Sequence, residues 1–285
     1  MISKTGARVT RTRSKARAVS RLVEAAYQGL RHQGVFESVQ TYCLFIGYPR
    51  SGHSLVGSLL DAHPNVVIAH ELDSLRYVRD KPVGRNGLFW LILERDREFT
   101  EKGRRWTGYD YSVPNQWHGR FERLLVVGDK NGAESTKRIA QDPTLLPRLR
   151  RRVGVDVRIV HVVRNPFDNI ATMTMRSKTR PSIETWADEY FAMCRTNDEI
   201  RRRDDTSVLD LRHEELIRRP KDCLAELCGF LGVDPTPEYL ADCAGIVNAS
   251  PHRSRTEVDW SPGMIDDVQS RMSRFAFLEG YTFDG

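Results

Sequence analysis

After residue 40 the chain alternates short apolar runs with longer stretches of helical period, and this alternation limits its fold more than any other feature. Thr41–Gly47 (TYCLFIG), Val66–Ala69, Leu124–Gly128, Asp156–Val163 (DVRIVHVV) and Ser207–Leu211 have the length and β-branched content of buried strands. Helical patterns are predicted between and after them, over residues 52–62, 166–175, 183–203, 221–231 and 262–275. Strands alternating with helices require βαβ units, so the fold class expected is α/β: one three-layer domain with a parallel sheet flanked by helices on both faces. No linker splits this body. The domains expected are therefore residues 1–37, a basic extension with an amphipathic helix, and residues 38–285, the α/β domain. The longest apolar run, LFWLIL at 88–93, is far short of the ~18 residues that span a bilayer and reads as a buried element.

The formal charge of +6 first suggests a nucleic-acid binder, so its location matters. Residues 1–33 hold eight basic side chains (Lys4, Arg8, Arg11, Arg13, Lys15, Arg17, Arg21, Arg31) against Glu24, and the remaining chain is close to neutral. The charge belongs to the leading segment. Val19, Leu22, Val23, Ala26, Tyr27 and Leu30 recur there at helical spacing. Three readings stay open: a solvated tail before a helix docked on the body, an arm for a membrane surface or nucleic acid through residues 1–33, and an organelle transit peptide. Five cysteines (43, 194, 223, 228, 243), an odd number without framework or zinc spacing, read as core thiols in a reducing compartment. With no secretory apolar region in the sequence, a cytoplasmic location is expected.

In parallel α/β folds ligands bind outside the carboxyl ends of the strands, and two strand-to-helix junctions there are built for anions. The first is Gly47-Tyr48-Pro49-Arg50-Ser51-Gly52-His53-Ser54, with the frame of a phosphate-binding loop at a helix N-terminus. His53 stands where a nucleotide-hydrolysing loop has lysine, and the cation sits within the loop as Arg50. A tight turn with no ligand is the plainer alternative. The second is Arg164-Asn165-Pro166-Phe167-Asp168. Capping explains Asn165, Pro166 and Asp168, but not Arg164, whose guanidinium suits a phosphate. Thr172 is placed to add a hydroxyl. Glu71, after the second strand, is placed either as a general base or as an exposed strand-end charge, with His70 as the alternative base. Lys130, after the third strand, is also at this edge, with Asp129 as its expected partner or as a turn residue.

Pro49-Arg50-Ser51-Gly52-His53-Ser54 followed by Leu59-Leu60-Asp61-Ala62-His63-Pro64 resembles the 5′-phosphosulfate loop of sulfotransferases that use 3′-phosphoadenosine 5′-phosphosulfate (PAPS). The pattern P-R-S-G-T-T…L-L-D-x-H-P of tyrosylprotein and many bacterial sulfotransferases is closer than that of the phenol and steroid enzymes. His53 departs from the usual threonine. The resemblance implies that Arg50, Ser51, Gly52, His53 and Ser54 hold the 5′-phosphosulfate and that Arg164 and Thr172 hold the 3′-phosphate. It also implies that Glu71 is the base and Lys130 the cation at the leaving oxygen. Leu211-Arg212-His213-Glu214-Glu215-Leu216 with Phe230-Leu231-Gly232 resembles a later family segment, with His213 in place of tyrosine. Arg253 or Arg255 would add a contact to the 3′-phosphate, or belong to a solvated loop.

The function expected is therefore transfer of a sulfuryl group from PAPS to a hydroxyl, less readily an amine, of a carbohydrate, lipid or small-metabolite acceptor. No metal and no specific nucleic-acid partner are expected. The competing classes are a P-loop kinase-like enzyme and a PAP- or nucleic-acid-binding module without turnover. The aromatics Trp90, Trp106, Tyr109, Tyr111 and Trp117 read first as core and second as an acceptor wall.

Overall fold

The computed structural model describes residues 19–177, 179 and 181–285. The basic residues up to Ala18, over which the tail, membrane-arm and transit-peptide readings compete, lie outside the described residues.

Five strands, β1 (Thr41–Gly47), β2 (Val66–His70), β3 (Val126–Lys130), β4 (Asp156–Val163) and β5 (Ser207–Arg212), form one sheet in the order β2-β3-β1-β4-β5, every pairing parallel. β1 is central and buried at all seven positions. Its side chains alternate as a strand requires. Tyr42, Leu44 and Ile46 enter a core under α2 (Ser74–Asp80), α3 (Arg85–Glu101), α4 (Gly132–Gln141) and α5 (Leu145–Val153). Cys43 and Phe45 enter the opposite core under α1 (His53–Asp61), α9 (Pro220–Leu231) and α10 (Pro237–Gly245). A third cluster joins Tyr48 to α6 (Pro166–Arg176), α7 (Ile183–Arg201) and α11 (Pro262–Met272). The short α8 (His213–Arg218) follows β5 directly. Connections from β1 run to one side of the sheet and those through β4 and β5 to the other, which places the switch point, where ligands bind in such sheets, at the end of β1.

The third strand lies two residues later than the sequence predicts. Gly128 and Asp129 are weak strand formers, but neighbours on both sides hold the backbone in the ladder as far as Lys130 (Leu44 opposite Asp129, His70 opposite Lys130). Lys130 is therefore the last residue of a strand rather than part of the following turn. The LFWLIL run lies inside α3, and all five thiols are buried and unpaired.

A helix over residues 19–31 packs on α3, as the periodicity predicts, but its orientation differs from the expectation. Leu22, Ala25 and Gly29 face the body, while Val19, Val23, Tyr27 and Leu30 face solvent. Among the described residues no helix is long and apolar enough to cross a membrane.

Candidate active site

The loop after β1 combines three unusual backbone positions: Gly47 at φ 141°, Arg50 at φ 67° and Gly52 at φ 101°. Gly52 is required twice, by its left-handed φ and because a Cβ there would lie 2.3 Å from the His213 ring. The turn leaves the N–H groups of Ser51, Gly52, His53 and Ser54 without an acceptor among the described residues, at the positive end of α1. Such a run of free donors is suited to an anion. Arg50 is exposed at the loop tip.

His53, read as a cofactor ligand, has its ring beneath the loop. Nε2 is 3.1 Å from the Ile46 carbonyl, Nδ1 is 3.1 Å from Ser51 Oγ, and Ser51 Oγ donates to the Tyr48 carbonyl at 3.0 Å. Burial lowers this imidazole to about 3 and keeps it neutral, the Ile46 carbonyl opposing and the nearby Lys130 reinforcing the shift. The ring braces the loop from below, and the same is true of the buried Ser51 side chain, so both residues offer an anion their N–H groups and not their side chains.

Behind His53 lies a polar chain that the sequence did not reveal. Gly47 N donates to Thr136 Oγ1 (3.0 Å), which donates to Asn197 Oδ1 (2.8 Å). Asn197 Nδ2 is 3.3 Å from His161 Nε2, and His161 Nδ1 is 2.8 Å from Asp210 Oδ1. Tyr48 OH also meets His161 Nε2, at 3.2 Å. An Nδ1–H donated to the Asp210 carboxylate leaves Nε2 free to accept from both Tyr48 and Asn197. The chain anchors both ends of Gly47–Tyr48, where the loop leaves the strand. Its only sequence signal was a histidine and an aspartate at matching positions of adjacent strands.

At the mouth of the loop Lys130 Nζ donates to Ser54 Oγ at 3.1 Å and to Glu71 Oε1 at 2.9 Å. Burial lowers the Lys130 ammonium, and the Glu71 carboxylate opposes that shift. Asp129, the partner expected for Lys130, turns to the other face, as alternation along β3 demands. It accepts from Leu72 N (3.0 Å) and Ser74 N (2.7 Å), and burial pushes its carboxyl up to about 6. Glu71 (φ 59°) and Asp73 (φ 66°) flank the segment that Asp129 grips, so a buried carboxylate shapes the turn that presents Glu71. His70, the alternative base, is stacked on Phe99 with ring centroids 3.9 Å apart, and burial lowers it to about 2. An imidazole that weakly basic is a poor proton acceptor at neutral pH.

The second junction meets the first directly. Arg164, 7% exposed, donates to Thr172 Oγ1 at 3.1 Å and toward the Arg50 carbonyl at 3.4 Å. Its other nitrogen donates to the His252 carbonyl (2.7 Å) and Ser254 Oγ (3.1 Å). Asn165 caps α6 by accepting from Phe167 N at 3.0 Å. Asp168 does not complete that cap. It accepts from Arg255 N (2.9 Å) and Arg255 Nη1 (3.0 Å), tying the 252–255 segment to α6. Arg255 is thus buried in an ion pair, whereas Arg253 is exposed and lines a cavity of about 240 Å³ with Arg212, Arg218 and Glu214.

The core reading of the aromatics holds for Trp90 but fails for the tip of the segment. A two-residue hairpin, Arg105–Trp106 with Tyr109–Asp110, leaves Trp106 41% and Tyr109 55% exposed. Its strands are too short to carry a buried face. Tyr111 lies beside Ser54 and within range of the Arg50 charge, and Tyr109 is within range of Arg164. The hairpin is anchored by buried Arg104 (φ 51°), which pairs with Asp61 Oδ2 at 2.9 Å and Asp96 Oδ1 at 3.0 Å. Asp61 also accepts from Ile68 N, so the aspartate of the L-L-D-A-H-P run joins the loop helix, β2 and the hairpin.

Residues 150–238 match the model described as "Sulfotransferase family", a span that contains Arg164, Thr172 and His213. No curated protein matches the chain. Among solved structures, the sulfotransferase domain from the curacin biosynthetic pathway is similar over 83% of this chain and 97% of its own, at 14% identity and a TM-score of 0.52. The sulfotransferase domain from the Synechococcus PCC 7002 olefin synthase aligns over 82% and 88% at 18% identity, with a TM-score of 0.46. Mouse sulfotransferase SULT7A1, complexed with PAP, aligns over 85% and 87% at 14% identity, also at 0.46. The chain pairs the fold of a sulfotransferase domain with a segment, residues 150–238, that matches a sulfotransferase family model.

Proposed function

We propose that the protein is a PAPS-dependent sulfotransferase acting on an acceptor hydroxyl. The observation that carries this reading is the bridge from Ser54 through Lys130 to Glu71, at the mouth of a loop whose Arg50 carbonyl faces the Arg164 guanidinium. The residues suit the donor. Free N–H groups from Ser51 to Ser54, with Arg50, fit the 5′-phosphosulfate, and Arg164 with Thr172 fits the 3′-phosphate. In this reading Arg253 lies near enough on the same segment to assist, while Arg255 acts by holding that segment through Asp168.

PAPS when bound supplies the sulfuryl group, its S–O bond to the 5′-phosphate breaking with the electron pair retained by PAP. Glu71 Oε1 takes the proton of the acceptor hydroxyl as that oxygen bonds to sulfur. Lys130 Nζ, now shared with Glu71, turns to the oxygen that gains charge. Ser54 Oγ keeps the ammonium at that edge. Proximity of these groups at one edge of the sheet, Lys130 buried and Glu71 half-exposed, supplies the alignment that in-line transfer requires. The exposed Trp106 and Tyr109 stand as one wall for the acceptor, which in this reading is a carbohydrate, lipid or small metabolite. Five buried free thiols suit a reducing compartment such as the cytoplasm.

The kinase-like reading is weakened by His53, a neutral ring turned beneath the loop where a phosphate-binding lysine would point outward. The test is transfer of radiolabelled sulfate from PAPS to a panel of glycans, lipids, phenols and peptides, with melting followed in PAP and in ATP. Labelled product and a larger upward shift with PAP are expected. A shift with PAP but no product on any acceptor would leave a binding module, and an equal shift with ATP would favour a kinase.

A further inference from the structure

The helix over residues 19–31 is apolar on the side turned away from the body. Val19, Val23, Tyr27 and Leu30 are 60%, 64%, 54% and 70% exposed, and steps of four, four and three residues gather them into one stripe. The described residues hold only three other exposed large hydrophobics (Trp106, Tyr109 and Met175), and of these Tyr109 alone is as exposed as the stripe, so the stripe is a concentrated feature and not ordinary surface scatter. It is also held in a fixed orientation. A Cβ on Gly29 would lie 2.7 Å from Gly87 N, so the helix touches α3 backbone to backbone, and Ala25 is fully buried in the same contact. At its other end Arg21 reaches Glu98 at 3.5 Å, so the helix runs antiparallel to α3.

Charge says what covers such a stripe. The eighteen residues before Val19 contain Lys4, Arg8, Arg11, Arg13, Lys15 and Arg17 and no acid, and Arg31 sits over the Tyr27 ring at 5.8 Å. We propose that this face docks on the surface of an anionic lipid bilayer. The stripe enters the boundary between headgroups and acyl chains, and the basic residues meet the anionic headgroups. Each half alone gives weak, reversible binding; together they supply the two signals that a stable surface attachment needs. A nucleic acid would satisfy the charge but leave the stripe in water. A second copy would cover the stripe but bring two strongly basic segments together. A bilayer satisfies both. The inference does not depend on the reaction the protein catalyses.

The test is sedimentation of the full chain with vesicles of phosphatidylcholine alone and of about 7:3 phosphatidylcholine to phosphatidylserine. Bound protein should rise about tenfold or more with phosphatidylserine and fall back in high salt. Val23→Asp with Leu30→Asp should abolish most of that binding without lowering the melting temperature, because both side chains are exposed. Undiminished vesicle binding by this double variant would overturn the proposal. So would duplex DNA binding tighter than vesicle binding and indifferent to the two substitutions. A dimer in light scattering that the double variant dissolves, with no vesicle binding by the parent chain, would assign the stripe to a second copy instead.

Discussion

Glu71 has a backbone that a glutamate adopts only under constraint, at φ 59°, and the constraint is visible in its neighbours. Asp129 holds Leu72 N and Ser74 N, and Lys130 holds the carboxylate itself. Strain retained at one residue by so many bonds indicates a side chain whose position matters. Glu71→Gln keeps the size and loses the proton acceptor. Turnover should fall roughly 10²–10⁴-fold, the usual contribution of a general base, while PAP affinity measured by calorimetry stays within a few-fold. Turnover equal to that of the parent chain would remove Glu71 from the chemistry. The sequence singled out Glu71 and Lys130 one at a time, each two residues past the end of a predicted apolar strand (Ala69 and Gly128). Their pairing was not legible, since it needs the register that sets His70 opposite Lys130. The same holds for Asp129, whose side of the sheet depends on where β3 ends.

At the scale of elements, the β4–α6 junction was legible because its residues are contiguous: Arg164 at the strand end, Asn165 as cap, Pro166 at the first helical position. The resemblance named the segment that closes over it, through Arg253 or Arg255, but not the contacts that seat it. His252, Ser254 and Arg255 come from about ninety residues further on and meet Arg164 and Asp168 only in the fold. Arg164→Ala removes one buried guanidinium from Thr172, Ser254 and two carbonyls. Since charge-assisted hydrogen bonds contribute about 1.5–3 kcal/mol each, PAP affinity should drop by roughly 10–100-fold or more in calorimetry. Arg164→Lys should restore little of it, because an ammonium lacks the planar fork. An unchanged affinity in the alanine variant would place the 3′-phosphate elsewhere. The hairpin at 105–110 escaped the sequence for a different reason. Paired strands of two residues carry no period, and the abundance of aromatic residues around them suggests core when two of them lie in solvent.

For the whole molecule, the five-stranded parallel arrangement followed from strand–helix alternation, and the charge arithmetic placed the net positive charge outside it. Buried histidines add a property that neither pattern shows. His53 and His70 are held neutral to about 3 and about 2, whereas an unfolded chain protonates them near 6.5. Below that pH the unfolded state binds protons the folded state refuses, so the stability is complete above 6.5 and drains as pH falls toward 3. Asp129 acts in the opposite sense over part of this range, since its folded value of about 6 lies above the unfolded 3.8 and acidification favours its protonated, buried form. Burial lowers His63, His118, His161 and His213 as well, against raised carboxyls at Asp61, Glu94, Asp96, Asp129 and Asp168. Because the unfolded imidazole value of 6.5 bounds the interval from above, the imidazoles dominate it, and melting temperature should decline from pH 6.5 to pH 5. His70→Phe, which keeps the stacking on Phe99 and removes a buried nitrogen without a partner, should lessen that decline. A melting temperature flat across that interval in the parent chain would show that these rings are protonated in the fold.

The contacts that seat the first helix also fix where it begins. Arg21 meets Glu98, Glu98 meets Arg95, and Arg95 Nε donates to the His70 carbonyl, one residue before Glu71. The start of that helix is therefore linked to the end of β2 where the candidate base Glu71 follows. With the helix docked on a bilayer as proposed, an acceptor carried in the same membrane would be met by lateral diffusion. The concentration that governs encounter is then molecules per unit area. Diluting such an acceptor with inert lipid would slow the reaction, even at constant bulk amount of acceptor and protein.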